Sequence, residues 1–175
     1  MRVTRRVGVA VLGLLLAAAP GARSQGLTAD GWERRSDPVA PFQVRDVEGN
    51  LLRSAELRGK VVMIDFWATW CAPCVRELPS LAEYHARVHD REEVALLSFN
   101  VGDDEEAIAR FVEKHGIDFP IYRGDDLVEA FDVIGFPTKL ILDMRGEPTL
   151  RYRKMGYAPA DVVEPRIEAL LKAGR

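Results

Sequence analysis

A mixed α/β sheet with helices on both faces and an added N-terminal β-hairpin is the fold class this sequence predicts. Three observations carry that expectation. Apolar runs of strand length alternate with stretches whose apolar residues recur at a spacing of 3–4. Two turn signals, Glu48-Gly49-Asn50 and Met144-Arg145-Gly146-Glu147, each join a pair of strand-like runs. The resulting order is β-hairpin, then β-α-β-α, then β-β-α, which gives a layered sheet with both parallel and antiparallel neighbours. The 175 residues suit one domain with a proper core, and 47% apolar with 29% charged residues places the chain among globular and not disordered proteins.

The first two dozen residues stand apart. Arg2, Arg5 and Arg6 precede an uncharged apolar run over 7–19, and Pro20-Gly21-Ala22-Arg23-Ser24 supplies a breaker and small residues before Gln25. That is the order of a secretory signal occupying residues 1–24. The competing reading is a retained anchor, but as a helix the run would rise about 20 Å against a hydrocarbon core of about 30 Å. Export to the periplasm or the outer side of a cell envelope is therefore expected. Without residues 1–24 four arginines are lost, leaving 20 basic residues against 27 acids, net −7. No basic stripe remains to follow phosphates, which excludes nucleic acid as the expected partner.

Residues 25–40 read as an irregular lead-in, with Pro38 inside it, and residues 41–175 as the folded domain. Phe42–Val47 alternates apolar and polar, and with Leu51-Leu52 it forms the hairpin. After Arg58-Gly59-Lys60, the run Val61–Trp67 is almost wholly apolar, as for a central strand buried on both faces; Asp65 is its one charge. Pro73 to about His89 reads as a helix, with Leu78, Leu81, Ala82, His85 and Val88 on one face and Pro79 kinking it. Val94–Val101 is a further strand. Asp103, Asp104, Glu105 and Glu106 then mark the start of a helix running to about His115, because acids in a first turn complement the helix dipole. A short strand at Phe119–Tyr122 and a short helix at Asp125–Phe131 follow, then antiparallel strands at Thr138–Asp143 and Leu150–Lys154. An amphipathic helix over Ala158–Ala173 closes the chain.

Cys71 and Cys74 are the two cysteines of the chain, separated by Ala72-Pro73 at the point where the central strand gives way to the helix. A bridge between them closes so small a loop that it removes little entropy from the unfolded chain, so a structural staple is a poor explanation. Zinc is poorer, since a structural site takes about four ligands and His85, His89 and His115 fit a solvated helix face. No metal or cofactor is expected. Redox exchange is what remains. Only a thiolate attacks a disulfide, and a helix N-terminus lowers a thiol pKa from about 8.5 into the range of about 3.5–7.5. Cys71 is therefore the expected nucleophile, and Cys74, one turn further in and more buried, the resolving thiol. Pro73 fixes the first turn without leaving an N–H unsatisfied.

Asp65-Phe66-Trp67-Ala68-Thr69-Trp70-Cys71-Ala72-Pro73-Cys74 resembles the active-site strand and helix of thioredoxins, and Gly59-Lys60-Val61-Val62 with Phe66–Cys71 resembles the exported TlpA/ResA-type branch, which includes the thioredoxins of cytochrome c maturation. The likeness runs from about Pro41 to the C-terminus and implies a thioredoxin fold and protein-disulfide oxidoreductase activity. It further implies that Asp65 is a buried acid taking the proton of Cys74, although many members of the exported branch carry Asn there. Glu77 matches a buried glutamate that tunes the cysteines, so two acids compete for the proton-accepting role. Gly135-Phe136-Pro137-Thr138 resembles the cis-proline loop, with Pro137 cis and the backbone of Phe136 open to an extended substrate segment. Gly156 matches the glycine on the other side of that groove, and Trp67 and Trp70 would form its apolar rim, core packing being the alternative for Trp67.

The partners so implied are client proteins with cysteines or disulfides and a membrane electron donor, the protein itself acting as a monomer. Two rivals remain. One is a peroxiredoxin-like peroxidase, which shares the hairpin and the Gly-Lys-Val-Val lead-in but needs a lone peroxidatic cysteine. The other is a copper-binding module held by Cys71 and Cys74, whose relatives usually add a histidine ligand in a supporting motif.

Overall fold

Seven consecutive buried residues, Val61–Trp67, form the strand around which the sheet is built. A run this apolar cannot face water on either side, so it takes the centre, with covering layers above and below. The computed structural model describes residues 31–35, 37–152 and 162–174. The expected signal at 1–24, Gly156 and the first part of the last helix lie outside the described residues.

The strands are β1 (Trp32–Arg34), β2 (Gln43–Arg45), β3 (Leu51–Arg53), β4 (Val61–Trp67), β5 (Val94–Asn100), β6 (Ile121–Arg123), β7 (Thr138–Leu142) and β8 (Pro148–Tyr152). The α-helices are α1 (Ala72–Val88), α2 (Glu105–His115) and α3 (Glu164–Ala173), with 3-10 turns at Ser54–Leu57 and Asp125–Leu127. Six strands make one mixed sheet in the order β1-β8-β7-β4-β5-β6, and β2-β3 form a separate hairpin. β4 pairs in parallel with β5 and antiparallel with β7.

Right-handed crossovers β4-α1-β5 and β5-α2-β6 step in the same direction across the sheet, which puts both helices on one face. Met63 and Trp67 from β4 pack there with Leu78, Leu81 and Tyr84 of α1, Ile108 of α2 and Ile167 of α3. The opposite face, with Val62, Ile64 and Phe66, is covered by Val44 and Leu52 of the hairpin and by Leu57, Leu127 and Phe131. Helices thus stand on both faces as expected, but unevenly: among the described residues the second face has the hairpin and 3-10 turns where the first has three α-helices.

The lead-in is more ordered than its composition predicts. Trp32–Arg34 forms an edge strand on β8, with Trp32 fully buried and its ring 5.1 Å from that of Tyr152. One large aromatic supplies the apolar area that the polar neighbours lack.

Candidate active site

The sequence folds the cysteine pair into a helix start. Cys71 is the N-cap of α1 with extended backbone, Ala72 and Pro73 follow, and the Cys71 Sγ accepts the N–H of Cys74 at 3.3 Å. One orphan donor of the helix end is thereby aimed at the sulfur expected to carry charge. Cys71 and Cys74 are joined by a disulfide with Cα atoms 5.3 Å apart. The expected contrast in burial is small: the pair is covered almost equally, at 5% and 3% exposure. Phe136 packs against the cluster that holds both cysteines.

Two loops hold this turn. Asp103 accepts the backbone N–H of Thr69 and the Thr69 hydroxyl, both at 2.7 Å, and the Asn100 side-chain amide at 2.8 Å. Of the four acids read as a helix start, Asp104 is the N-cap of α2, accepting Ala107 N–H at 2.7 Å, and Asp103 belongs to the redox loop. On the other side the Phe136–Pro137 bond is cis, as the resemblance implied, and the Thr138 hydroxyl donates to the Gly135 carbonyl at 2.7 Å. Arg151, buried on β8, donates to the Phe131 carbonyl and approaches Asp132 Oδ2 at 3.6 Å, supporting the start of that loop.

The rim is formed differently from the expectation. Trp70 is 68% exposed and its ring meets that of Phe136 edge-on at 5.8 Å. Trp67 is fully buried, its indole N–H donating to Ser98 Oγ at 2.8 Å, so it is a core residue and not part of the rim. The strand's alternation decides this, since Trp67 follows Met63 and Asp65 onto the helix-covered face. Ile134, two residues before Phe136 in sequence, is 77% exposed.

Between the central strand and α1, with Glu77 one turn past Cys74 on the helix's buried face, lies a charged group that the sequence reveals in part. Asp65 and Glu77 are both buried, and Lys139, also buried, joins them: its Nζ is 2.9 Å from Asp65 Oδ1 and donates to Glu77 Oε2. The Asp65 contact is short in distance but poorly aligned, leaving Oδ1 without a donor of hydrogen-bond geometry. Burial pushes the Asp65 carboxyl up from its ordinary value; Lys139 opposes this and the Glu77 charge adds to it. Lys139 stands opposite Asp65 in the β4–β7 register and Ser98 opposite it in β4–β5, so the polar groups form one row across the sheet. Lys139 was legible as a charge inside the apolar run Thr138–Leu142, just as Asp65 was in β4. Asp103 and Arg151 carry no comparable signal.

The site thus brings together Cys71, Cys74, Asp65, Glu77, Trp70, Pro73, Phe136 and Pro137, with Gly156 outside the described residues. No group of three or more His, Cys, Asp or Glu side chains suited to a metal occurs among the described residues.

Comparison with known proteins agrees with this geometry. The model of the AhpC/TSA family matches residues 36–152. Among curated proteins, the thiol-disulfide oxidoreductase ResA of Geobacillus kaustophilus is 36% identical over 108 residues, 61% of this chain and 62% of the relative, so the match spans less than two thirds of that protein. ResA of Bacillus thuringiensis is 29% identical over 151 residues, covering 84% of this chain and 87% of the relative. Among solved structures, a thioredoxin-family thiol:disulfide interchange protein from Chlorobium tepidum superposes with a TM-score of 0.68 at 24% identity, over 78% of this chain and 97% of that one. That likeness shows the thioredoxin fold. With its family model spanning the hairpin, the cysteine pair and the cis-proline loop, this chain belongs to the AhpC/TSA family.

Proposed function

We propose that the protein is an extracytoplasmic thiol–disulfide oxidoreductase that reduces disulfides of client proteins through a Cys71/Cys74 cycle. The single observation that carries this is the disulfide between Cys71 and Cys74 at the head of α1, with Cys71 Sγ accepting the Cys74 N–H. Relatives named thiol-disulfide oxidoreductase support it. In the reduced protein the Cys71 thiolate attacks a client disulfide, forming a mixed disulfide and releasing one client thiolate. The Cys74 thiol gives its proton to a buried carboxylate, and its thiolate attacks Cys71 Sγ. The second client thiolate leaves and the Cys71–Cys74 bond is restored. Two electrons have passed to the client, and a membrane dithiol donor returns them. The export signal read in residues 1–24 supports a cycle outside the cytoplasm. Apocytochrome c cysteines or a copper-site assembly protein are the clients that fit such a reductant, and the protein acts as a monomer.

Equilibration of the cysteine pair against glutathione tests the direction. A potential near about −270 mV supports a reductant, and one near about −120 mV makes the protein an oxidant. Consumption of peroxide without an added thiol protein, or tight one-to-one copper binding by the reduced protein, would replace the proposal with one of its two rivals.

A further inference from the structure

The chain leading to the Phe136–Pro137 loop closes like the end of a helix. Val133 N–H donates to the Val128 carbonyl at 2.8 Å and Asp132 N–H to the Glu129 carbonyl at 2.9 Å. Val128 and Val133 both belong to the apolar cluster on that side of the sheet. These are the two bonds of a helix C-terminal motif whose left-handed position is usually glycine. Here that position is Asp132, with φ 51°, and among the described residues it is the one non-glycine residue with positive φ. Aspartate takes this conformation less readily than glycine, so backbone preference does not explain the choice.

The carboxylate is what a glycine would lack. Its Oδ2 accepts Arg35 Nη1 at 3.1 Å and lies 3.6 Å from Arg151 Nη1. Both guanidinium groups have anchors of their own. Arg35, its side chain 11% exposed, donates its backbone N–H to the Thr149 carbonyl of β8 at 2.9 Å, and its Nη2 meets Asp37 at 2.9 Å. Arg151 is buried on β8 and donates to the Phe131 carbonyl. The Asp132 side chain is 61% exposed, and ion pairs so open to water add little to stability. Stability therefore favours glycine at 132, and position is what the acid supplies.

We propose that Asp132 is a positioning residue for client binding: held by Arg35 just after β1 and by Arg151 of β8, it fixes the start of the loop that presents Phe136 to an extended client segment. Phe136 lies four residues further on. The far end of the loop is fixed separately, by the Thr138 hydroxyl on the Gly135 carbonyl and by the entry into β7. Val133 is buried but Ile134 and Gly135 are exposed, so the stretch before Phe136 takes its direction from the turn that Asp132 closes. A client strand added at Phe136 is bound through main-chain hydrogen bonds, which need both backbones in register and at the right separation. A shifted loop start weakens those bonds without touching Cys71 or Cys74. Through Arg35 the lead-in thus takes part in client binding, although it stands 97 positions from Asp132 in the chain.

This rests on the proposed reduction of protein disulfides, and the test separates the two. Reduced protein is mixed with a disulfide-linked peptide dimer at increasing concentration, and formation of the Cys71–Cys74 bond is followed by acid quench and mass spectrometry. Hydroxyethyl disulfide, too small to add a strand, is the control. In Asp132→Gly the half-saturating peptide concentration is expected to rise by about fivefold, with the limiting rate and the rate toward hydroxyethyl disulfide within about twofold of the unmodified protein. Its urea midpoint is expected to be equal or higher, because glycine suits the left-handed position. Arg35→Met is expected to give the same rise, and the double variant no more than either alone, since both act through one contact. An unchanged half-saturation in Asp132→Gly, equal slowing toward both disulfides, or a lower urea midpoint accompanying the loss overturns the proposal. So does a rise in the double variant that is the product of the two single rises. Should Arg35→Met not fold, Asp132→Gly alone decides. Failure of the unmodified protein to form the Cys71–Cys74 bond with either disulfide would instead defeat the oxidoreductase reading itself.

Discussion

Thr69 donates twice to Asp103, through its backbone N–H and its hydroxyl, each at 2.7 Å. The loop that delivers Cys71 is thereby tied to the end of β5, where Asn100 donates to the same carboxylate. In Asp103→Ala three donors lose their acceptor, at a cost of about 1–3 kcal/mol. The expected result is a lower urea midpoint with unchanged slope, and thiol exchange several-fold slower. An exchange rate equal to that of the unmodified protein would show that the loop is positioned without this tie.

Asp65 should cost stability at neutral pH. Its carboxyl is pushed up by burial, so the folded state binds the proton more tightly than the unfolded chain, whose value is near 3.8. The stability this lends is complete below the unfolded value and is lost as pH rises through the folded one. Asp65→Asn leaves Lys139 with Glu77 as a one-to-one pair and is expected to raise Tm at pH 7 by about 2–4 °C for each kcal/mol gained. The gain should vanish toward pH 3. A gain of the same size at both pH values would contradict an ionised, penalised Asp65.

Cys74→Ser is expected to accumulate a mixed disulfide with an added client peptide, and Cys71→Ser to accumulate none, when each is trapped with acid and resolved by mass. The N-cap geometry of Cys71 is the reason, since its sulfur faces the helix donors. Trapping through Cys74 instead would reverse the assignment.

Trp70 is mostly exposed and rests on Phe136, so Trp70→Ala should leave the unfolding free energy within about 0.5 kcal/mol. Exchange with a protein client should slow several-fold while reduction by a small dithiol is unaffected. Equal slowing for both would place Trp70 in the site's own stability and not in client contact.

Most of the fold could be read from the sequence because its signals are local. The buried run of β4, the Gly-containing turns and the 3–4 spacing of α1 each state their structure within a dozen residues. The cysteine pair, Asp65 and the cis bond at Pro137 were legible for the same reason or through the resemblance. What escaped depends on distant partners. The edge strand at Trp32 exists through pairing with β8 over a hundred residues away. Asp103 looked like its three acidic neighbours until the fold brought Thr69 to it, and Trp67 could have faced either way until the strand's register was fixed.

That edge strand has a consequence for how molecules of this protein meet. β1 is three residues long, ends in Arg34 and is followed by Arg35, and at the opposite margin Val47 donates to the Ile121 carbonyl while Asp46 bridges Tyr122. Both borders of the sheet are thus blunted, one by a short charged strand and one by the hairpin. A version of the chain trimmed to begin after Arg35 would uncover the backbone of β8, including the Thr149 carbonyl that now accepts the Arg35 N–H. Self-association through that open border, and not loss of the redox turn, is the failure such a truncation invites.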